Sequence, residues 1–302
     1  MTKIILDTDP GVDDALALML LAKSKNIDLL AITTVAGNST IENTTANAQY
    51  LKKLLGLKCP IYSGAKKALT GPFTTAHVHG VTGLAGIDNQ EVPVFTNNAP
   101  EKIIEIVKQN PHEVIIVCIG PETNLAQAIQ IEPLLPSLIS KVVIMGGAIL
   151  SPGNQTSMAE FNIGLDPEAA EIVFESPIKK VLIPLDVCYQ TPLFAPDFDR
   201  LKNSSLFKTI KAITTPYIKA ISRFEGQEGA IVYDALAAYY LINPSAFTIE
   251  DYEVHIETNG KYTRGATVAD RRSWGEKSPN TTVTTALNRE QFLNDFVDIL
   301  SS

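Results

Sequence analysis

Clusters of positive charge are missing from this sequence. Its 302 residues carry a formal net charge of −8 with a pI near 5.1, and no run of Lys or Arg interrupts that acidity. A polyanion finds no electrostatic footprint here, so no nucleic-acid partner is expected. Cysteine is equally scarce. Cys59, Cys118 and Cys188 are widely spaced and lie in or beside apolar runs. That spacing excludes a disulfide framework and fits buried free thiols in a reducing compartment, by default the cytoplasm. Long apolar runs are lacking too: the longest, 15–22, is far too short to cross a bilayer, so no membrane partner is expected. The start of the chain shows no charged n-region, apolar h-region or small-residue cleavage site, and no signal peptide is expected. Repeats, low-complexity tracts and linkers are absent. With 45% hydrophobic residues, the length fits one large domain over 1–302.

What is present is an alternation. Short β-branched runs at 3–6, 29–35, 114–119, 142–145 and 181–185 read as strands, with helix-like segments after most of them, and this predicts an α/β fold around a buried, mainly parallel sheet. The 15–22 run is apolar all round, as suits a helix packed inside the fold. Pro121-Glu122-Thr123 and Asp166-Pro167-Glu168 read as helix starts with a cap and a proline in the first turn. From 66 to 100 the periodicity is poor and Gly, Pro and Thr are frequent, which reads as a long functional loop. The stretch 201–240 reads as helical with an interruption at 223–229, where two glycines make a candidate hinge or lid and where Phe224, Gln227 and Glu228 could cover a ligand. Strands at 252–257, 266–269 and 281–285 and an amphipathic helix from Arg289 complete the chain.

Four carboxylates fall within eight residues, at Asp7, Asp9, Asp13 and Asp14. One or two acids at the start of a helix are explained by capping and the helix dipole. Four at one strand end raise one another's pKa and cost stability unless a cation compensates them. No His or Cys lies nearby in the sequence, so oxygen-only ligation favours Ca²⁺ or Mg²⁺ over Zn²⁺. An EF-hand is excluded, because its loop would need Asp or Asn where Gly11 stands and Glu where Leu18 stands. A Mg²⁺-dependent phosphatase with Asp7 as nucleophile remains an alternative, although its strand-plus-Asp-x-Asp signature does not continue into Pro10-Gly11 and its downstream Lys and paired Asp are not found. The expected strand ends are polar or glycine-rich at Gly37-Asn38, Gly120-Pro121-Glu122-Thr123-Asn124, Met145-Gly146-Gly147 and Asp186. Ligands of open parallel sheets bind outside these ends.

Taken in order, Asp7-Thr8-Asp9-Pro10-Gly11-Val12-Asp13-Asp14-Ala15, Thr33-Thr34-Val35-Ala36-Gly37-Asn38, Gly120-Pro121-Glu122-Thr123-Asn124, Met145-Gly146-Gly147 and Ala159-Glu160-Phe161-Asn162 resemble the motifs of the Ca²⁺-dependent nucleoside hydrolases, over essentially the whole chain. The resemblance implies a Rossmann-like open sheet flanked by helices, in a single domain with C-terminal helical and strand additions. It implies Ca²⁺ bound by Asp9, Asp14, Asp234 and the backbone carbonyl of Thr123. Asp13 and Asn38 would contact the ribose 2′-hydroxyl, Asn162 and the Met145 backbone the 3′ side, and Asn154 with Glu160 the 5′-hydroxyl, while Asp7 supports the site. Asp9 would accept a proton from a polarised water that attacks C1′, leaving an oxocarbenium-like ribose. His79 matches a histidine of the family's active-site loop and would line the base side, whereas His77, His112 and His255 have no assigned role. One departure concerns the residue before the last metal ligand, a His in many members and Tyr233 here. A phenol is a weaker proton donor than an imidazolium, so purine or pyrimidine preference stays open, and a non-catalytic ribose-binding protein is the further alternative. A homodimer or homotetramer is implied.

Overall fold

The computed structural model describes residues 1–88 and 92–302. Eight strands form one sheet: β1 (Thr2–Thr8), β2 (Ile27–Thr34), β3 (Ile61–Ser63), β4 (Ile115–Cys118), β5 (Lys141–Met145), β6 (Lys180–Ile183), β7 (Phe247–Tyr252) and, after the separate hairpin β8 (Val254–Ile256) and β9 (Thr267–Ala269), β10 (Thr281–Leu287). The spatial order is β3-β2-β1-β4-β5-β6-β10-β7, and every neighbour pair is parallel except β10 with β7. The chain therefore reverses its direction of growth between β1 and β4, the switch point at which doubly wound sheets open a crevice. The result is one α/β domain.

Burial on both sides of the sheet explains the apolar strands. Ile4 and Leu6 face one core layer and Ile5 faces the other, all essentially without exposure. On the first side pack α1 (Val12–Lys23), the amphipathic α2 (Ile41–Leu55), and later helices of the chain; α3 (Ala99–Gln109) and α4 (Thr123–Ile131) cover the second. The short α5 (Leu135–Leu138) and α6 (Phe161–Leu165) are followed by α7 (Pro167–Glu175), and α8 (Leu185–Cys188) and α9 (Ala195–Asp199) by the longer α10 (Phe207–Glu225), α11 (Tyr233–Ile242) and α12 (Arg289–Ser301). α1 and α11 pack against each other in the interior, which is why both are apolar on nearly every face.

Several sequence expectations shift in detail. The stretch 252–257 is not one strand: it joins the end of β7 to β8, which belongs to the other sheet. β3 and most of β7, the strands at the two opposite edges of the large sheet, carry no strong apolar run and were not expected. Residue 185 opens α8 instead of closing β6. Pro121 precedes the Glu122 cap of α4, outside the first turn, while Asp166 caps α7 as expected, its side chain accepting the Ala169 N–H at 3.2 Å. Between 66 and 98 no described residue lies in a helix or strand, and 89–91 fall outside the described residues. Cys118 and Cys188 are buried and Cys59 is half-buried; all three are free thiols. No described helix is long and apolar enough to cross a membrane.

Candidate active site

β1 ends at Thr8, Pro10-Gly11 turns the chain, and α1 begins with Asp13 and Asp14 in its first turn. α11 begins with Tyr233 and Asp234. Because the two helices pack together, their N-terminal turns meet, and oxygen atoms of Asp13, Asp14 and Asp234 all lie within 4.8 Å of one another. Asp14 is held firmly, with one oxygen accepting the Thr8 hydroxyl and the other the Gly11 N–H at 2.8 Å and the Asn38 side-chain amide at 3.0 Å. It thus caps α1 as well as joining the cluster.

Asp9 approaches the cluster from the turn but is not one of the three residues whose oxygens come together. Its Oδ2 accepts the Asn38 N–H at 2.6 Å, so Asn38 ties Asp9 to Asp14. The space for its carboxylate is made by two glycines at the ends of β2 and β4. A Cβ on Gly37 would stand 2.2 Å from Asp9 Oδ2, and one on Gly120 2.6 Å from Oδ1. Asp9 Oδ1 and Asp13 Oδ1 are buried without a hydrogen-bond partner. Such orphaned acceptors cost stability unless a cation or donor meets them.

The electrostatics agree. Burial, followed by the neighbouring carboxylates, pushes the Asp9, Asp13 and Asp234 carboxyls well up, and burial raises Asp14 as well. Asp14 and Asp234 bring like carboxyl groups together in the cluster, an arrangement that favours keeping a proton there when no cation is present. The donor set is all oxygen and fits a hard divalent cation. Thr123, the first residue of α4, is fully buried, and its hydroxyl donates to Asp166 Oδ2 at 2.6 Å. Asp7 takes the Thr33 hydroxyl at 2.6 Å and the Asn124 amide at 2.8 Å on Oδ1. Burial pushes it up to about 6. It does not line the cleft and is fully buried, so a substrate cannot reach it as a nucleophile, and the phosphatase alternative fails on this point.

Above the cluster opens a cleft of about 420 Å³. Asp13, Asn38, Met145, Asn154, Glu160, Asn162, Tyr233, Asp234 and His79 all line it; Asp9, Asp14 and Thr123 are buried and do not. The Asn162 amide bridges the ends of β4 and β5 by donating to the carbonyls of Ile119 at 3.2 Å and Met145 at 3.1 Å. Glu160 caps α6, accepting the N–H groups of Asn162 and Ile163 at 2.9 and 3.1 Å and of Gly147 at 3.0 Å. Burial nevertheless pushes its carboxyl up to about 7. Asn154 Oδ1 accepts the Phe161 N–H at 2.9 Å.

At the other end of the cleft His79 is buried and stacked on Tyr217, ring centroids 5.3 Å apart. Its Nδ1 accepts the Val12 N–H at 3.1 Å, and burial pulls the imidazole down to about 3. The ring is therefore neutral with its proton on Nε2, and the 3.8 Å approach of Nδ1 to Asp13 Oδ1 is not an ion pair. Tyr233 packs edge-on to Tyr189, and its hydroxyl donates to Glu225. Burial pushes the phenol well up. Of the interrupting segment, Phe224 and Glu225 line the cleft, whereas Gln227 and Glu228 do not. His77, which the motifs left without a role, lines it too and packs against the Phe224 ring at 5.9 Å. Glu225 was not expected: its partner Tyr233 begins the next helix, and no sequence spacing announces a contact between the end of one helix and the start of another. His112 and His255 lie outside the cleft, the latter between Glu175 and Glu253 on the surface.

A profile of the family described as inosine-uridine preferring nucleoside hydrolase matches residues 4–294. The chain is 37% identical over 308 aligned positions to the inosine-uridine preferring nucleoside hydrolase of Crithidia fasciculata, covering 99% of this chain and 97% of that one. It is 38% identical over 306 positions to the pyrimidine-specific ribonucleoside hydrolase RihA of Enterobacter sp. (strain 638), with 99% and 96% covered. Among solved structures it resembles the purine-preferring ribonucleoside hydrolase from Gardnerella vaginalis with a TM-score of 0.90 at 31% identity, covering 99% and 98% of the two chains.

Proposed function

Because the chain belongs to the inosine-uridine preferring nucleoside hydrolase family, it is an enzyme that hydrolyses ribonucleosides, and we propose that it does so with Ca²⁺ held by Asp9, Asp14, Asp234 and the backbone carbonyl of Thr123. The observation that carries this reading is the pair of buried, unpartnered oxygens on Asp9 and Asp13, with oxygens of Asp14 and Asp234 within 4.8 Å of one of Asp13's. When bound, the ion supplies charge neutralisation and polarises a water for attack. Asp9, with Oδ2 fixed by Asn38 and Oδ1 unpartnered, would accept the proton of the attacking water as it adds to C1′. Asp13 and Asn38, on the cleft wall, grip the 2′-hydroxyl; Asn162 and the Met145 carbonyl serve the 3′ side; Asn154 and Glu160 serve the 5′-hydroxyl. The negative groups around the sugar stabilise the positive charge that develops on it. His79, neutral, faces the base with Nε2–H as a hydrogen-bond donor, and Tyr233 stands where the base departs. Residues 223–229 act as the lid. The three free thiols fit a cytoplasmic enzyme, and a dimer or tetramer is the expected assembly.

The test is ribose release from inosine, adenosine, uridine and cytidine by the purified protein, with Ca²⁺ or with EGTA, alongside Asp9→Ala. Turnover is expected only with Ca²⁺ and only in the unsubstituted protein. Undiminished rates in EGTA would remove the metal from the reaction, and an active Asp9→Ala enzyme would remove Asp9 as the base.

A further inference from the structure

Among the polar strand ends of the sequence, Asp186 is left over: the proposed metal and sugar contacts do not use it, and it does not line the cleft. It stands just past the end of β6. That strand ends at Ile183 beside Met145, the end of its parallel neighbour β5, so the two chains leave the sheet side by side. Beyond the ladder they stay tied, the Gly146 N–H donating to the Ile183 carbonyl at 3.2 Å and the Leu185 N–H to the Gly147 carbonyl at 2.9 Å. Asp186, in the first turn of α8, then takes three backbone N–H groups of the neighbouring chain. Ile149 donates to Oδ2 at 2.9 Å, and Leu150 and Ser151 donate to Oδ1 at 2.6 and 3.1 Å. Successive N–H groups that converge in this way make a nest for an anion, and bonds to a charged acceptor are stronger than those between neutral groups.

The nest lies where regular structure gives no support. From 146 to 160 the chain has neither helix nor strand beyond a single bridge between Ala159 and Ala266. Leu150 is 67% exposed, so packing of its side chain does not hold the backbone there. Asn154 follows three residues after the nest and lines the cleft. The segment closes on itself around it, the Gly153 N–H donating to the Ser157 carbonyl at 3.2 Å and the Gln155 N–H to the Ala159 carbonyl at 3.0 Å, so a shift at 149–151 is passed on to Asn154. Glu160 is anchored separately, by the N–H groups of Gly147, Asn162 and Ile163. The geometry points to Asp186 as a positioning residue for the 5′ end of the ribose: without touching substrate, its carboxylate fixes the backbone at 149–151 and, through it, the place of Asn154 on the cleft wall. The inference rests on the nucleosidase reading and on Asn154 meeting the 5′-hydroxyl.

Asp186→Ala removes all three bonds, whereas Asp186→Asn keeps one acceptor oxygen, enough for the Leu150 and Ser151 N–H groups but not for Ile149 as well. Both Ca²⁺-loaded variants are compared with the unsubstituted enzyme on inosine and on 5′-deoxyinosine. A misplacement of about an ångström costs up to about 100-fold. We therefore expect kcat/KM on inosine to fall about 100-fold in Asp186→Ala and about tenfold in Asp186→Asn, with changes of no more than about twofold on 5′-deoxyinosine. A merely structural role would lower both substrates alike. In an Asn154→Ala background Asp186→Asn should have no further effect, because the two residues act as one unit. Ca²⁺ affinity in isothermal titration should stay as it was. If Asp186→Ala melts below the assay temperature, Asp186→Asn carries the comparison alone. Equal losses on the two substrates, an unchanged inosine rate, or additive losses in the double variant would overturn the proposal. If the unsubstituted enzyme cleaves no nucleoside, the nucleosidase reading fails first and takes this one with it.

Discussion

Removing the metal should invert the usual dependence of stability on pH. Asp7 is fully buried with one oxygen unpartnered, and burial displaces its carboxyl from 3.8 to about 6. A carboxyl whose folded pKa lies above its unfolded value imposes no penalty below the unfolded pKa. The penalty grows as pH rises between the two values and is complete above the folded one. For Asp7 the full displacement corresponds to about 3 kcal/mol, of which about 2 kcal/mol falls between pH 4.5 and 7.5. Asp9, Asp13, Asp14 and Asp234 act in the same direction. His79, pulled down to about 3 by burial, opposes this by about 3 kcal/mol over the same window, because its folded pKa lies below the unfolded 6.5. Glu160, pushed up to about 7 by burial, adds about 3 kcal/mol in the direction of Asp7. Surface acids such as Asp270, held well below the carboxylate range by Arg272, oppose it mainly below pH 4 and are weakened by solvent. Large domains lose roughly 2 °C of Tm per kcal/mol, so Asp7 alone lowers the EGTA-treated protein's Tm by about 4 °C over this window. With Ca²⁺ the clustered carboxylates bind as anions and release protons, so the Ca²⁺-dependent rise in Tm should grow with pH. Differential scanning calorimetry at pH 4.5, 6 and 7.5, with Ca²⁺ or EGTA, reads both effects. A metal-free protein that melts at the same or a higher temperature at pH 7.5 than at 4.5 would refute the reasoning.

Gly37→Ala places a Cβ 2.2 Å from Asp9 Oδ2, so we expect it to cost about 2 kcal/mol by overpacking and to abolish Ca²⁺ binding in isothermal titration while the fold persists; retained binding would contradict the cradle. His79 should remain a neutral Nε2–H tautomer from pH 5 to 8 in ¹⁵N NMR, because its pKa is pulled down to about 3 by burial and Nδ1 is occupied by the Val12 N–H. A titration within that range would show that burial does not control it.

The acidic half of the site was legible because most of its residues cluster in sequence. Asp7 to Asp14 report a strand end and a helix start directly, and the charge density within eight residues has no cheap structural explanation. Asn38 and Thr123 were legible for a related reason: they follow the β-branched runs that became β2 and β4, and strand ends of a parallel sheet converge. Asp234 could be assigned only through the resemblance, since its approach to Asp13 and Asp14 depends on two apolar helices packing together. Edge strands failed for want of signal. β7 is largely exposed, so it lacks the continuous apolar run that marks the central strands, and β3 has only three residues. The base half was hardest to read. Glu225, His77 and Phe224 come from a helix end and an irregular loop, and what they touch is set by where α10 stops, a property that the glycine at 226 marks but does not explain.

The position of the helices also accounts for how so acidic a centre survives folding. α1, α4 and α11 all begin at the switch-point end of the sheet, and each N-terminus contributes roughly half a positive charge from its unpaired N–H groups. One of those groups is used directly: the Gly11 N–H meets Asp14 at 2.8 Å. Three dipoles offset only part of four aspartates, leaving roughly two to three negative charges at full ionisation. Protons cover that remainder in the metal-free protein, as the raised Asp9, Asp13, Asp14 and Asp234 carboxyls imply, and one divalent cation covers most of it otherwise. The same fold can therefore form before metal arrives, with the cation replacing protons instead of ordering the chain. That is why the metal should appear in measurements as a pH-linked gain in stability and not as a condition for folding.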